Sequence, residues 1–233
     1  MEELISKWGS LITLDTLKQA KKRADEFVFS EISDVLKKDI KILGADGNIT
    51  ARDQNGLDGL MLAVIRGDKK MVLDLIRRGA SVNSRSRDQF GYAPLHFSVL
   101  QENIALLETL LQQKAKSNLK SKTGDAPLHL VPYIESDIQQ KRSAELLLNY
   151  GADINLKNAV GDTIIHIAVR RNDLPLLKYL IDQFSININL NIKNNDGQTP
   201  VSLATKFERK EVINLFNDLK RAQQEVGPTR DVI

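Results

Sequence analysis

Short apolar blocks recur along the chain: Met71, Val72, Leu75 and Ile76; Leu106, Leu107, Leu110 and Leu111; Ala144, Leu147 and Leu148. Spacings of three and four residues line one face of a helix, so each block predicts an amphipathic α-helix. Two blocks run into Gly79-Ala80-Ser81-Val82-Asn83 and Gly151-Ala152-Asp153-Ile154-Asn155. There Gly79 and Gly151 sit just past the last turn, where a left-handed cap favours glycine. A second phrase precedes each block: Gly91-Tyr92-Ala93-Pro94-Leu95-His96, Gly124-Asp125-Ala126-Pro127-Leu128-His129, Gly161-Asp162-Thr163-Ile164-Ile165-His166 and Gly197-Gln198-Thr199-Pro200-Val201-Ser202, with a fainter copy from Gly56. The glycines are 35, 33, 37 and 36 residues apart, a period that marks stacked repeats. Each unit predicts a turn, a helix, a turn, a second helix and a short extended link. Pro94 and Pro127 fit the first helical turn, where a missing N–H costs nothing.

Two stretches stand outside the period. In residues 1–50, Leu4, Ile5, Trp8, Leu11, Ile12 and Leu14, then Ile32, Val35, Leu36 and Ile40, form two apolar stripes at helical spacing. They predict a helical N-terminal cap, and Ile42-Leu43-Gly44-Ala45-Asp46 is similar enough to a unit's helix end to include a degenerate repeat. Residues 221–233 are polar with a Gly-Pro step and predict a flexible C-terminal tail.

Composition narrows the chemistry. All three histidines, His96, His129 and His166, occupy one motif position, and there is no cysteine. Each imidazole is expected to bond across its own turn. Imidazoles in successive layers would stand about 8–10 Å apart, too far to share one zinc. Carboxylate pairs such as Glu31 with Asp34 lie on helix surfaces with no group to tune them, and no phosphate loop of the G-x-x-x-x-G-K type occurs. The expectation is no enzyme, no metal and no cofactor.

Charge excludes little more. Thirty-three basic and 30 acidic residues give a net charge of +3, without the concentrated stripe of a nucleic-acid binder. The nearest clusters are Arg77-Arg78 with Arg85 and Arg87, and Arg170-Arg171, most of them read as solvated helix ends. No run reaches the roughly 18 apolar residues needed to span a bilayer, and the first residues lack a secretory pattern. Cytoplasmic placement, no membrane insertion, no direct nucleic acid and a monomer are expected.

The phrase D-x-x-G-x-T-P-L-H, a leucine-rich helix and then G-A-D-x-N resembles the ankyrin repeat, over about residues 53–220. The resemblance implies an all-α ankyrin-repeat solenoid of helix-turn-helix pairs with β-hairpin-like loops. About five repeats (53–87, 88–120, 121–157, 158–193 and 194–220) would follow the N-terminal cap. It also implies a non-enzymatic module that binds a partner protein on a concave face, as adaptor, tether or inhibitor. Alternatives are an effector acting on host proteins, in host-cell cytosol, and a transcription-linked regulator with a Rel-like partner, in the nucleus.

Departures from the pattern individualise the chain. Leu57-Asp58-Gly59-Leu60-Met61 lacks the proline and histidine of T-P-L-H. Lys114 and Phe184 replace the cap glycine, which predicts rearranged turns. Extra residues around Pro132–Asp137 are expected to bulge as a loop. Ser185–Ile192, alternating Asn with Ile or Leu, is expected to form an extended strand or to be a tolerated surface insertion.

Positions between motif residues are left for a partner. Unit by unit these are Gln54, Asn55 and Leu57; Gln89, Phe90, Tyr92, Leu100 and Gln101; Lys122, Thr123 and Tyr133; Val160, Asp162, Arg170 and Arg171; and Asn195, Gln198, Lys206 and Phe207. Phe90, Tyr92, Tyr133 and Arg170-Arg171 have the chemistry of interface anchors. For Phe90 and Tyr92, packing on a neighbouring hairpin is the equal alternative.

Overall fold

The computed structural model describes residues 49, 51–53 and 56–225. Among them are ten α-helices, two 3-10 turns and no strand, with one isolated bridge between Arg52 and Asp58. The expected all-helical repeat architecture is present. The chain divides into two compact bodies, residues 1–80 and 81–233. The predicted N-terminal helical cap, Gln54, Asn55 and residues 226–233 lie outside the described residues.

In the first body α1 (Gly59–Ile65) packs on α2 (Lys69–Arg77). Although the turn before α1 lacks proline and histidine, the Asp58 carboxylate accepts the Met61 N–H at 2.9 Å and caps the helix. Such a cap contributes about 1 kcal/mol. Met61, at the histidine position, is fully buried and replaces a polar link with apolar contact. Asp68 caps α2 in the same way through the Met71 N–H at 2.9 Å.

The second body contains four helix pairs: α3 (Pro94–Leu100) with α4 (Ile104–Gln112); α5 (Pro127–Leu130) with α6 (Asp137–Asn149); α7 (Ile164–Arg171) with α8 (Leu174–Phe184); and α9 (Pro200–Lys206) with α10 (Lys210–Glu225). First helices stack on first helices and second on second. Their apolar faces meet in a core that includes Leu95, Val99, Leu107, Leu147, Ile164, Leu176, Leu203 and Phe216. Each such side chain contributes roughly 1.5–3 kcal/mol by leaving water. Ala144, Ala168 and Ala204, all fully buried, let neighbouring helices approach.

The irregular segments differ from expectation in instructive ways. Lys114 keeps the left-handed cap, at φ +64°, because its side chain is free to extend into solvent. At Phe184 the turn is replaced: α8 runs on into a 3-10 turn, Ser185–Asn187. That turn is the whole of the insertion. Ile188 and Leu190 are buried and resume the register of Ala152 and Ile154, so no strand forms among the described residues. The extra length in the preceding pair folds inward. Val131–Tyr133 is a 3-10 turn, and Val131, Pro132 and Ile134 are buried; only the Glu135–Ile138 end reaches solvent.

The last helix also exceeds its expected limit at 220, running to Glu225. Gln223 Nε2 donates to the carbonyls of Ser185 at 2.7 Å and Ile188 at 3.0 Å. The inserted turn and the residue just after it therefore supply the acceptors that hold the end of α10.

Candidate functional site

The connections between helix pairs in the second body share one construction. Asn83, Asn118 and Asn155 each brace the following unit: Asn83 Oδ1 accepts the Lys116 N–H (2.8 Å), Asn118 Oδ1 that of Asp153 (2.8 Å), and Asn155 Oδ1 that of Asn189 (3.0 Å). Three residues after each of these, and after Asn191, a small polar residue closes a hairpin. The N–H groups of Ser86, Ser121, Asn158 and Asn194 donate to the carbonyls of Tyr92, Asp125, Asp162 and Gln198 at 2.8–2.9 Å.

Measured from these asparagines, the first of the four tips is longer. Eight residues separate Asn83 from Gly91, whereas six separate Asn118 from Gly124 and Asn155 from Gly161. The longer tip is braced by Asp88, whose Oδ1 accepts from Ser86 Oγ and from the N–H groups of Phe90 and Gly91 at 2.7–2.9 Å. Arg85 and Arg87 therefore belong to a hairpin rather than to a helix end.

Glycine at the tips answers two demands. Gly124 and Gly161 have φ of +77° and +79°, and a Cβ there would stand 2.4 Å from the Ala159 nitrogen and 2.6 Å from the Asn195 nitrogen. Successive hairpins touch backbone to backbone at these points.

The histidines tie one layer to the next. His96 Nδ1 accepts the Ala93 N–H at 3.1 Å and its Nε2 donates to the Asp125 carbonyl at 3.0 Å. His129 links Ala126 to Leu156 (3.0 and 2.9 Å), and His166 links Thr163 to Gln198 (3.2 and 3.1 Å). A backbone N–H on Nδ1 places the ring proton on Nε2. Burial lowers the pKa of all three, that of His96 to about 4, and the nearby Arg85 charge pushes His96 the same way. Neutral rings used at both nitrogens leave nothing for proton transfer or metal ligation. Among the described residues no group of three His, Cys, Asp or Glu side chains is placed to hold a metal.

The anticipated partner positions separate by exposure. Gln89, Lys122, Val160, Arg171, Asn195, Lys206 and Phe207 are exposed, whereas Leu57, Phe90, Leu100, Gln101, Thr123, Tyr133, Arg170 and Gln198 are half-buried. Tyr92 and Asp162 are buried, at 2% and 4% exposure. The Tyr92 ring stacks on Phe90 and on His96, with centroids 5.5 and 5.2 Å away, and burial raises its hydroxyl pKa. Asp162 receives Arg170 Nε at 2.9 Å and Asn194 Nδ2 at 2.8 Å. Tyr92 thus packs within its own unit, and Asp162 links its hairpin to the next. By contrast, the exposed Arg171 lays its guanidinium carbon 4.5 Å from the centroid of the half-buried Tyr133 ring, a cation–π contact worth about 0.5–1 kcal/mol at such a site. The inserted 3-10 turn is what presents Tyr133.

One set of positions was missed by aligning the units on their glycines. Counted from the hairpin asparagines, Arg85, Lys120, Lys157 and Lys193 are equivalent. The longer first tip had hidden this register.

Comparison with known proteins agrees with this construction. The family model for ankyrin repeats (3 copies) matches residues 34–131 and 136–224. The chain belongs to the ankyrin-repeat family, whose repeats are protein–protein interaction modules. It is similar to an I-kappa-B like protein, N2, of Microplitis demolitor bracovirus, at 36% identity over 36% of the chain and 48% of that protein. A putative ankyrin repeat protein of fowlpox virus, FPV031, is 30% identical over 70% of the chain and 47% of its own length. The phosphocholine transferase AnkX of Legionella pneumophila is 30% identical over 60% of the chain but only 14% of that protein. The chain spans less than half the length of each. No helix among the described residues is long and apolar enough to cross a membrane.

Proposed function

We propose that the chain is a non-catalytic adaptor, tether or inhibitor that binds a partner protein through the hairpin tips and first-helix ends of residues 81–225. The observation that carries this is the division of labour in that strip. Motif positions are tied up in contacts between layers, while intervening positions remain accessible. Among them, Arg171 is ordered on Tyr133, and such pre-ordering reduces the entropy lost on binding. Phe207 and Val160 supply exposed apolar surface nearby in the repeat pattern.

Replacing Tyr133 and Arg171 together by alanine tests the assignment. Loss of a captured partner with an unchanged circular-dichroism melt is the expected result. Retention of the partner, with the Lys178→Ala control on α8 behaving alike, refutes it. Partner capture also covers the Rel-like candidate, to which the likeness with an I-kappa-B like protein lends support.

A second reading, an effector that binds host proteins, is favoured by the viral and Legionella relatives. A translocation reporter fused to the chain tests it; failure to enter a host cell from any dedicated secretion system removes it.

A further inference from the structure

We propose that Arg85, Lys120, Lys157 and Lys193 form a cationic row that binds an extended acidic peptide segment of the partner. The inference deepens the function proposed above and rests on it. Each of the four stands two residues after a hairpin asparagine and directly before the residue that closes the hairpin, so the row carries one cation per layer. Arg85, Lys157 and Lys193 are exposed and Lys120 is half-buried. Among the described residues none of the four is in an ion pair.

None of the described carboxylates of the same hairpins ion-pairs with the row; most are engaged elsewhere, and Asp196 is exposed on the last tip. Asp88 braces its own tip. Asp125 receives Thr123 Oγ1 and Asn158 Nδ2, both at 2.9 Å. Asp162 holds Arg170 and Asn194, and Asp153 accepts the Asn155 N–H at 2.9 Å. The first body shows that the register does not by itself leave a free cation. There Arg52, at the equivalent place, donates to the Gly56 carbonyl at 2.8 Å and lies 3.8 Å from Asp58.

Pitch and surroundings point to a peptide. Layers packed about 8–10 Å apart match about three residues of extended polyproline II chain at roughly 3.1 Å each, whose three-residue turn returns every third side chain to one face. A carboxylate at every third residue would thus meet successive cations. Single-stranded nucleic acid relies on stacking of bases on aromatic rings, and no aromatic residue flanks any of the four in sequence.

Fluorescence anisotropy with the whole chain tests the proposal. The probes are a labelled peptide with Glu at every third position, its Gln counterpart and a thymidine oligonucleotide. The Glu peptide should bind at low salt and weaken about tenfold as surface charge is screened. Lys157→Glu with Lys193→Glu should lower its affinity about tenfold or more, whereas Lys178→Glu on the outer helix α8 should change it by less than about twofold. Both variants should melt like the parent, since the side chains are exposed. Equal binding of the Gln peptide, tighter binding of the oligonucleotide, or an unaffected double variant overturns the proposal. If the Glu peptide fails to bind while Tyr133→Ala with Arg171→Ala still abolishes partner capture, the row falls and the broader function stands.

Discussion

His129 and Ser202 occupy the same position of the repeat, one in the middle of the second body and one in its last described helix pair. The imidazole reaches from its own turn to the Leu156 carbonyl of the next layer. The serine hydroxyl turns back on its own cap, accepting the Thr199 N–H at 2.9 Å and donating to the Thr199 carbonyl at 3.0 Å, and Ser202 is exposed. The same contrast holds for glycine. Gly161 faces the backbone of the following hairpin, but a Cβ at Gly197 would meet nothing within 4 Å. A repeat position thus has two components, a local one present in every unit and a coupling one that, among the described residues, is made only where a following layer is in contact. Lys206, Lys210, Asn214 and Asp218 of that pair are exposed.

Substitution can separate the two components. His129→Ala leaves the buried Ala126 N–H and Leu156 carbonyl without partners, each costing about 1–3 kcal/mol, so a total loss of about 4 kcal/mol is expected in urea denaturation. Ser202→Ala should lose less than about 1 kcal/mol, because solvent replaces the hydroxyl. Equal losses would break the comparison. Gly161→Ala combines strain at positive φ with a backbone clash and should destabilise by about 3 kcal/mol. Gly197→Ala, with φ +74° and open space, should cost only the strain of about 1 kcal/mol.

Acid sharpens the same contrast. The pKa of His96 is about 4 when folded, against 6.5 for an ordinary histidine. The unfolded chain therefore binds a proton that the folded chain refuses. The stability is fully present above about pH 6.5 and declines as the pH falls toward 4, by about 3 kcal/mol for His96 alone. His129 and His166 are shifted in the same direction and steepen the decline. Midpoints of urea unfolding from pH 7 to pH 4 measure this, and His96→Gln should flatten part of the slope. A slope unchanged in that variant would show that carboxylates, not the buried rings, drive acid unfolding. The smallest effect is expected at Gln223→Ala, which frees the Ser185 and Ile188 carbonyls near solvent at about 1 kcal/mol and should fray α10 in hydrogen exchange.

The helices were legible because their signals are local. Apolar spacing, proline at the first turn and glycine past the last one act within a few residues. The role of the histidines in bonding across the turn was equally readable, but their bond to the next layer was not, since its acceptors lie 27–32 residues away. The first insertion was misjudged for a related reason, whereas at Ser185–Asn187 the surface insertion rather than the strand is what forms. Pro132 looks like a loop in isolation, yet Val131 and Ile134 have core to fill and the segment folds inward as a 3-10 turn; after the exposed turn Ser185–Asn187, Ile188 and Leu190 return to the core. Tyr92 looked like an anchor because aromatic character says nothing about which side of a hairpin the ring takes.

By itself the sequence determined the repeat, its helices and the placing of every histidine at one motif position, because those follow from residue type and spacing along one chain. Only the tertiary structure decided which intervening side chains remain accessible, that Arg171 lies on Tyr133, and that Arg85 rather than Arg87 aligns with Lys120, Lys157 and Lys193. These depend on how each hairpin seats against its neighbour. Bonds between layers fix that register, and a count along the chain finds it only once the asparagines are known to be the braces.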